Sequence, residues 1–184
     1  MVKKSKRAGG AFVLADTQPI RTEVVLAIDP GAAIETKTNG LSEWHRSGND
    51  WERAAWSLHT IDALRYVQEF VELYAGHAVL VIEEFRLYPT KLQQQALTEL
   101  GTAQVIGALR WIVASYTEQP VTVVMQSASI KLAGCKRLGG GCIWNPNKSQ
   151  GGMKHDPTVH VGKNIHARDA EAHGAYWVKA ICRD

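Results

Sequence analysis

Three cysteines among 184 residues are too few for a disulfide framework, and a reducing compartment is expected. Long apolar runs are missing as well. No stretch approaches the ~20 residues needed to span a bilayer. The segment "AFVLA", after Lys3, Lys4, Lys6 and Arg7, is too short for the core of a signal peptide. These absences lead us to expect a cytoplasmic protein with no membrane partner. Net charge is only +3, so bulk charge says little about a polyanionic partner, and its distribution matters more. The rest of the composition, 45% hydrophobic and 21% charged, is that of a globular domain.

Residues 1–20 carry four basic side chains and Gly9-Gly10 with little periodicity, and are expected to form a flexible basic tail. Residues 21–184 then make one domain. Residues 22–28 read as a buried strand. Asn39-Gly40, between "IETKT" and "LSEWH", predicts a hairpin turn, with "SGND" closing the meander. From about Glu52 to Ala75 apolar residues recur at helical spacing (Leu58, Ile61, Leu64, Val67, Val71, Tyr74), and Gly76 marks the stop. "HAVLVIEE" is a continuous apolar run of the kind found in buried parallel strands. Thr90 could cap a helix over Lys91–Ser115, and "VTVVMQ" is a fifth strand candidate. Residues 134–163 read as a Gly-rich basic loop without periodicity, and a last helix is expected over Ile165–Ile181. This order implies an α/β fold: a mixed five-stranded sheet with helices on both faces.

Two of these strands end in acid, at Asp29 and Glu83. In an open α/β sheet, sites form beyond the carboxyl ends of parallel strands. The last helix opens with "HARDAEAH", which puts His166, Asp169 and His173 on one face. A helix entering over the same sheet edge would add a third carboxylate and an imidazole. Crowded carboxylates repel, and a hard divalent cation relieves that repulsion. Oxygen-rich ligation suits Mg²⁺ or Mn²⁺. Two such ions can activate a water and stabilise the leaving oxygen of a phosphodiester. Glu84 follows Glu83 directly, but strand alternation sends it to the opposite face.

The motifs "LAIDPG", "VIEEF" and "HARDAEAH" resemble those of the RuvC-type Holliday junction resolvases of the ribonuclease H-like superfamily. The spelling "VIEEFRLYP" with "HARDAEAHG" is most similar to phage-encoded members, which would place the protein in the host cytoplasm. The resemblance spans about residues 22–182. It implies a ribonuclease H-like nuclease domain and a Mg²⁺-dependent homodimeric endonuclease, with two ions per site, cutting branched DNA. It also implies Asp29 as the ligand shared by two metals, Glu83 and Asp169 as further ligands, and His166 as ligand or proton-transfer group. The segment after Asp29-Pro30-Gly31 lacks the family's Thr-Gly and large aromatic. The preferred branch (four-way junction, flap or fork) is left open.

Other residues suggest contact with nucleic acid. Between Gly134 and Asn164, Lys136, Arg137, Lys148, Lys154 and Lys163 stand against one acid, Asp156, with Trp144 among seven glycines. This suits phosphate-backbone contacts, the plainer reading being a solvated loop. In "FRLYP" the resemblance suggests an aromatic wedge, Phe85 or Tyr88, with Arg86 between them; a core-anchoring aromatic is the alternative. Lys131 follows a strand end and could meet a phosphate. Cys135, Cys142, His155 and His160 could form a zinc site, but the six residues between the cysteines exceed the usual structural spacing of about two to four, which argues against it. Cys182 reads as an inert buried thiol. A competing function is a non-catalytic branched-DNA binding protein on the same fold. An actin-like ATPase would need a second lobe, for which there is no room.

Overall fold

The computed structural model describes residues 22–31, 38–85, 100–116, 121–145 and 152–182. The expected tail, Arg86, Tyr88, Thr90, the start of the second helix and Lys148 lie outside them. Five strands form one sheet in the order β3-β2-β1-β4-β5. They are β1 (Val24–Asp29), β2 (Thr38–Ser47), β3 (Asp50–His59), β4 (Ala78–Glu84) and β5 (Thr122–Ser127). β2 runs antiparallel to β1 and β3, whereas β1, β4 and β5 are parallel. The sheet is mixed, as expected.

Alternation along the central strands divides the core in two. Val24, Leu26, Ile28, Leu80 and Ile82 face one side, packed with α1 (Thr60–Tyr74) and α2 (Leu100–Ser115) through Val67, Phe70, Val105 and Leu109. Val25, Ala27, Val79, Val81 and Val124 face the other, with Trp44, under α4 (Ile165–Tyr176) and the π turn Trp177–Ile181 that follows it. Both faces of the sheet are covered, so the strands read as continuous apolar runs. Asn164 caps α4, its side-chain oxygen accepting from the Ala167 amide at 2.9 Å. Among the described residues no helix is long and apolar enough to cross a membrane.

Three local expectations are corrected. Asn39-Gly40 is not a turn but lies inside β2; the hairpin turns at Gly48-Asn49, with Gly48 at φ 62°. Asn39 is buried, accepting from the Gly31 amide at 2.9 Å and donating to Thr60 Oγ1 at 3.0 Å. Gly40 is small because α4 starts on top of it: a Cβ there would fall 1.9 Å from the His166 carbonyl oxygen. Secondly, Glu52–His59 is strand, not helix, because β3 pairs with β2 along its whole length; helix begins at Thr60. Gly76, at φ 79°, does follow its end. Thirdly, the segment expected to be an irregular loop carries structure. It holds most of α3 (Lys131–Arg137) and the antiparallel ribbon β6 (Ile143–Asn145) with β7 (Gly152–Lys154). These pieces are too short to display a period. They share a small core of Cys135, Cys142, Met153 and Ala172.

Candidate active site

The parallel register pairs Ile28 with Ile82, and one step further brings Asp29 beside Glu83. Glu83 is in turn paired with Gln126 of β5. Asp29 follows Val25 and Ala27 on the α4 face, and Glu83 follows Val79 and Val81 there. A polar row therefore crosses three strand ends directly under α4. The helix face predicted from the sequence lies against that row. His166 Nδ1 donates to Asp29 Oδ2 at 2.8 Å. His173 Nδ1 donates to Gln126 Oε1 at 2.9 Å, and its Nε2 stands 3.4 Å from Glu83 Oε2. Asp169, between them on the helix, completes a group of three carboxylates.

The Lys131 ammonium sits in the middle of that group, 2.7 Å from Asp169 Oδ2, 2.8 Å from Glu83 Oε2 and 3.8 Å from Asp29 Oδ1. The lysine is buried, and its side chain serves these acids rather than the surface. Strand β5 ends at Ser127, and a short 3-10 turn, Ala128–Ile130, brings Lys131 back over the sheet edge at the start of α3. Burial pushes the Asp29 carboxyl up to about 8; the Lys131 charge opposes the rise and the Glu83 charge adds to it. Burial acts on Glu83 in the same sense, but the neighbouring His173 imidazole and Asp29 carboxyl, with the Lys131 charge, hold it well below the ordinary carboxylate range. Asp169 is likewise lowered, burial being outweighed by His155 and Lys131. Two adjacent carboxyls thus share one proton, the expected outcome when like charges meet away from water. His166 is raised by its bond to Asp29 and keeps a side chain 42% exposed at the mouth of the site.

The donor set fits a hard divalent cation. Two buried carboxylates, Asp29 and Asp169, converge with the partly exposed Glu83, and one oxygen, Glu83 Oε2, is within ion-pair reach of Lys131 yet off any hydrogen-bond direction. Lys131 here supplies the positive charge that such a cluster requires.

The residues expected to touch DNA divide. Lys136, Lys154 and Lys163 are exposed, as is Trp144. Arg137 packs its guanidinium 5.5 Å over the Tyr176 ring. Phe85 is partly buried against the α1–α2 core, the anchoring alternative. Glu84 is the last residue of β4, paired with Ser127, and alternation gives it the opposite face from Glu83.

Sequence reasoning singled out Lys131 for a phosphate and His155 for a metal, and missed that both reach the acids. Gln126 and Lys131 belong to the acidic centre. His155 donates from Nε2 to Asp169 Oδ1 at 2.7 Å. Glu171 is fully buried, pairing with Arg53 at 2.7 Å and with His160 Nδ1 at 3.1 Å. It also accepts from the Val161 and Gly162 amides at 3.1 and 3.2 Å. The signal for Glu171 was available: it stands on a helix face with Ala167, Gly174 and Ala175, small residues that mark close packing. The spacing argument against a Cys/His cluster is corrected too, since Cys135, Cys142, His155 and His160 bring their ligand atoms within 4.8 Å of one another. The end of α3 and the turn after it bring the two cysteines together, and the β6–β7 ribbon returns the chain to them with the histidines, which linear spacing cannot register.

No protein-family model and no curated protein matches this chain. Among solved structures it is similar to T. thermophilus RuvC in complex with Holliday junction substrate, with a TM-score of 0.52 and 14% identity over 83% of this chain and 91% of that one. At that identity the likeness speaks to architecture: the chain has the RuvC-type, ribonuclease H-like fold.

Proposed function

We propose that this protein is a metal-dependent, structure-specific endonuclease that hydrolyses phosphodiester bonds in branched DNA, four-way junctions foremost. The observation that carries the reading is the convergence of Asp29, Glu83 and Asp169 at one sheet edge, with His166 bonded to Asp29 at its mouth. The similar RuvC structure holds a Holliday junction substrate, which supports the choice of DNA class.

Asp29, Glu83 and Asp169 would hold Mg²⁺, with Mn²⁺ as substitute and Asp29 shared between two ions. When bound, the ions supply an activated water and charge neutralisation at the leaving oxygen. The chain's own residues do the rest. His166, half-exposed and oriented by Asp29, is placed to ligate or to move a proton at the solvent side. Lys131 offsets the negative charge of the acids and so eases the approach of a phosphate. Lys136, Lys154 and Lys163 would bind the backbone, with Lys148, Arg86 and Tyr88 as further candidates. Symmetric cutting of a four-way junction needs two sites related by a two-fold axis, so we infer a homodimer.

The test is Asp29→Asn. It removes a carboxyl that is negative when metal is bound and neutral in the metal-free chain, so junction binding by gel shift is kept or tightened. Changing a partner that merely orients a metal ligand typically costs 10–100-fold; loss of the shared ligand should lower single-turnover cleavage by at least about a hundredfold. A variant cutting at the wild-type rate in Mg²⁺ would overturn the reading in favour of a binding protein with a structural acid cluster.

A further inference from the structure

A second constellation lies on the other flank of α4. Cys135 is on α3, Cys142 just before β6, His155 just after β7, and His160 in the loop leading to α4. Cys135 is 0% exposed, Cys142 5%, and both histidines 8%. Cys135 Sγ is 3.5 Å from both His155 Nδ1 and His160 Nε2, and Cys142 Sγ is 3.9 and 3.4 Å from the same atoms. The two nitrogens are 3.2 Å apart.

These separations are five of the six edges of a tetrahedron around one ion, and the sixth, between the two sulfurs, is within 4.8 Å. With metal–sulfur bonds of about 2.3 Å and metal–nitrogen bonds of about 2.0–2.1 Å, the S···N edges come to about 3.6 Å and the N···N edge to about 3.3 Å. The protons point the same way. His155 commits its Nε2–H to Asp169 and His160 its Nδ1–H to Glu171, at 2.7 and 3.1 Å. The near nitrogens therefore carry lone pairs, and they face each other at 3.2 Å with no hydrogen to place between them. Two thiol S–H groups could each serve one nitrogen, but the N···N contact would still be unserved. A cation at the centre satisfies all four atoms. The Asp156 amide donates to Cys142 Sγ at 3.3 Å, the kind of donor a metal-bound sulfur accepts from. Imidazoles held by carboxylates from behind are the usual second layer of a metal site.

We infer that Cys135, Cys142, His155 and His160 bind one structural Zn²⁺. Two sulfurs and two nitrogens in a closed tetrahedron suit zinc, and four protein ligands leave no open position for chemistry. An iron–sulfur cluster would hold the cysteine pair away from the histidine pair by its own width, whereas each sulfur here lies within 3.9 Å of both imidazoles. The ion fastens a segment whose own apolar core is only Cys135, Cys142, Met153 and Ala172 with Leu132 beside it. Through His155 it also fixes the carboxylate of Asp169.

The full chain, expressed with zinc and dialysed, should carry about one zinc per molecule by elemental analysis. Cobalt exchanged into it should give the thiolate-to-metal charge-transfer band and the visible bands of a tetrahedral S₂N₂ site. A mercurial thiol reagent should release the zinc stoichiometrically from wild type, a readout that needs no variant to fold. Cys142→Ser should lose the charge-transfer intensity, and Cys182→Ser should keep it. Folded protein with substoichiometric zinc and no cobalt bands would overturn the inference, as would a Cys135–Cys142 disulfide found by non-reducing mass spectrometry. The inference is independent of the nuclease reading: Asp29→Asn should retain its zinc.

Discussion

Helix α4 carries two acids two positions apart, Asp169 and Glu171, that serve different chemistry. Asp169 joins Asp29 and Glu83 around the Lys131 ammonium, a group built of hard oxygens at strand ends. Glu171 supports the imidazole of His160 in a cluster of sulfur and nitrogen built from short loop-borne elements. His155 joins the two, with one ring nitrogen in the sulfur cluster and the other on Asp169. The oxygen group stands on the rigid sheet and keeps its mouth at His166, as a site of reaction requires. The sulfur–nitrogen group is closed on all sides and substitutes for the apolar core that its segment lacks. The contrast teaches that a helix can be buried nearly all round, as Ala167 and Asp169 to Ala175 are, while carrying charge, provided each charge has its own partner set.

The largest effect should come from the sulfur–nitrogen side. Glu171→Ala removes a fully buried carboxylate that pairs with Arg53 and His160 and accepts from two amides. Leaving buried partners uncompensated costs about 3–5 kcal/mol. Urea unfolding checks it, and a loss under about 1 kcal/mol would mean that the cluster does not lean on Glu171.

Lys131→Met tests the oxygen side. In chelator, the three carboxylates lose their common cation, and one of them can take up a further proton in response. That relief limits the cost to roughly 2 kcal/mol. Added Mg²⁺ should raise the melting temperature of this variant more than that of wild type. Equal shifts in the two proteins would separate Lys131 from the metal-binding role of the acids.

The last comparison is a slope with pH rather than a single loss, and it sharpens the contrast because only the oxygen side produces it. In the metal-free folded chain Asp29 holds its proton up to about 8, whereas its ordinary value is 3.8. The folded state binds more protons across that window, so stability falls as pH rises through it, by at most about 1.4 kcal/mol per unit. His166, also raised, adds a fall in the same direction above its ordinary value of 6.5. Glu83, Asp169 and Glu171 are lowered, and their stabilisation is lost only in acid, below the ordinary carboxylate range. Denaturant titrations of metal-free protein between about pH 5 and 8 should show the fall in wild type and a flatter line in Asp29→Asn. A slope unchanged by the substitution would place the shared proton elsewhere.

The sequence by itself determined the sheet and the convergence of acids. Val24–Ile28 and Ala78–Ile82 are continuous apolar runs because both faces are buried, and period two then aims Asp29 and Glu83 the same way. Helical spacing placed His166 and Asp169 on one face, and that face is the one that docks. These are short-range regularities, and a single strand or helix displays them. What tertiary structure alone decided depends on what lies across from a residue. Asn39-Gly40 carries the local signature of a turn, yet Gly40 is a seat for α4 and Asn39 a buried link from Gly31 to Thr60. Glu52–His59 continues the sheet because ten consecutive pairings with β2 outweigh a weak helical period. Lys131 turns inward because a 3-10 turn returns it over three carboxylates. The Cys/His cluster escaped because its ligands come from four different pieces of backbone, whose distances are set by folding rather than by residue count.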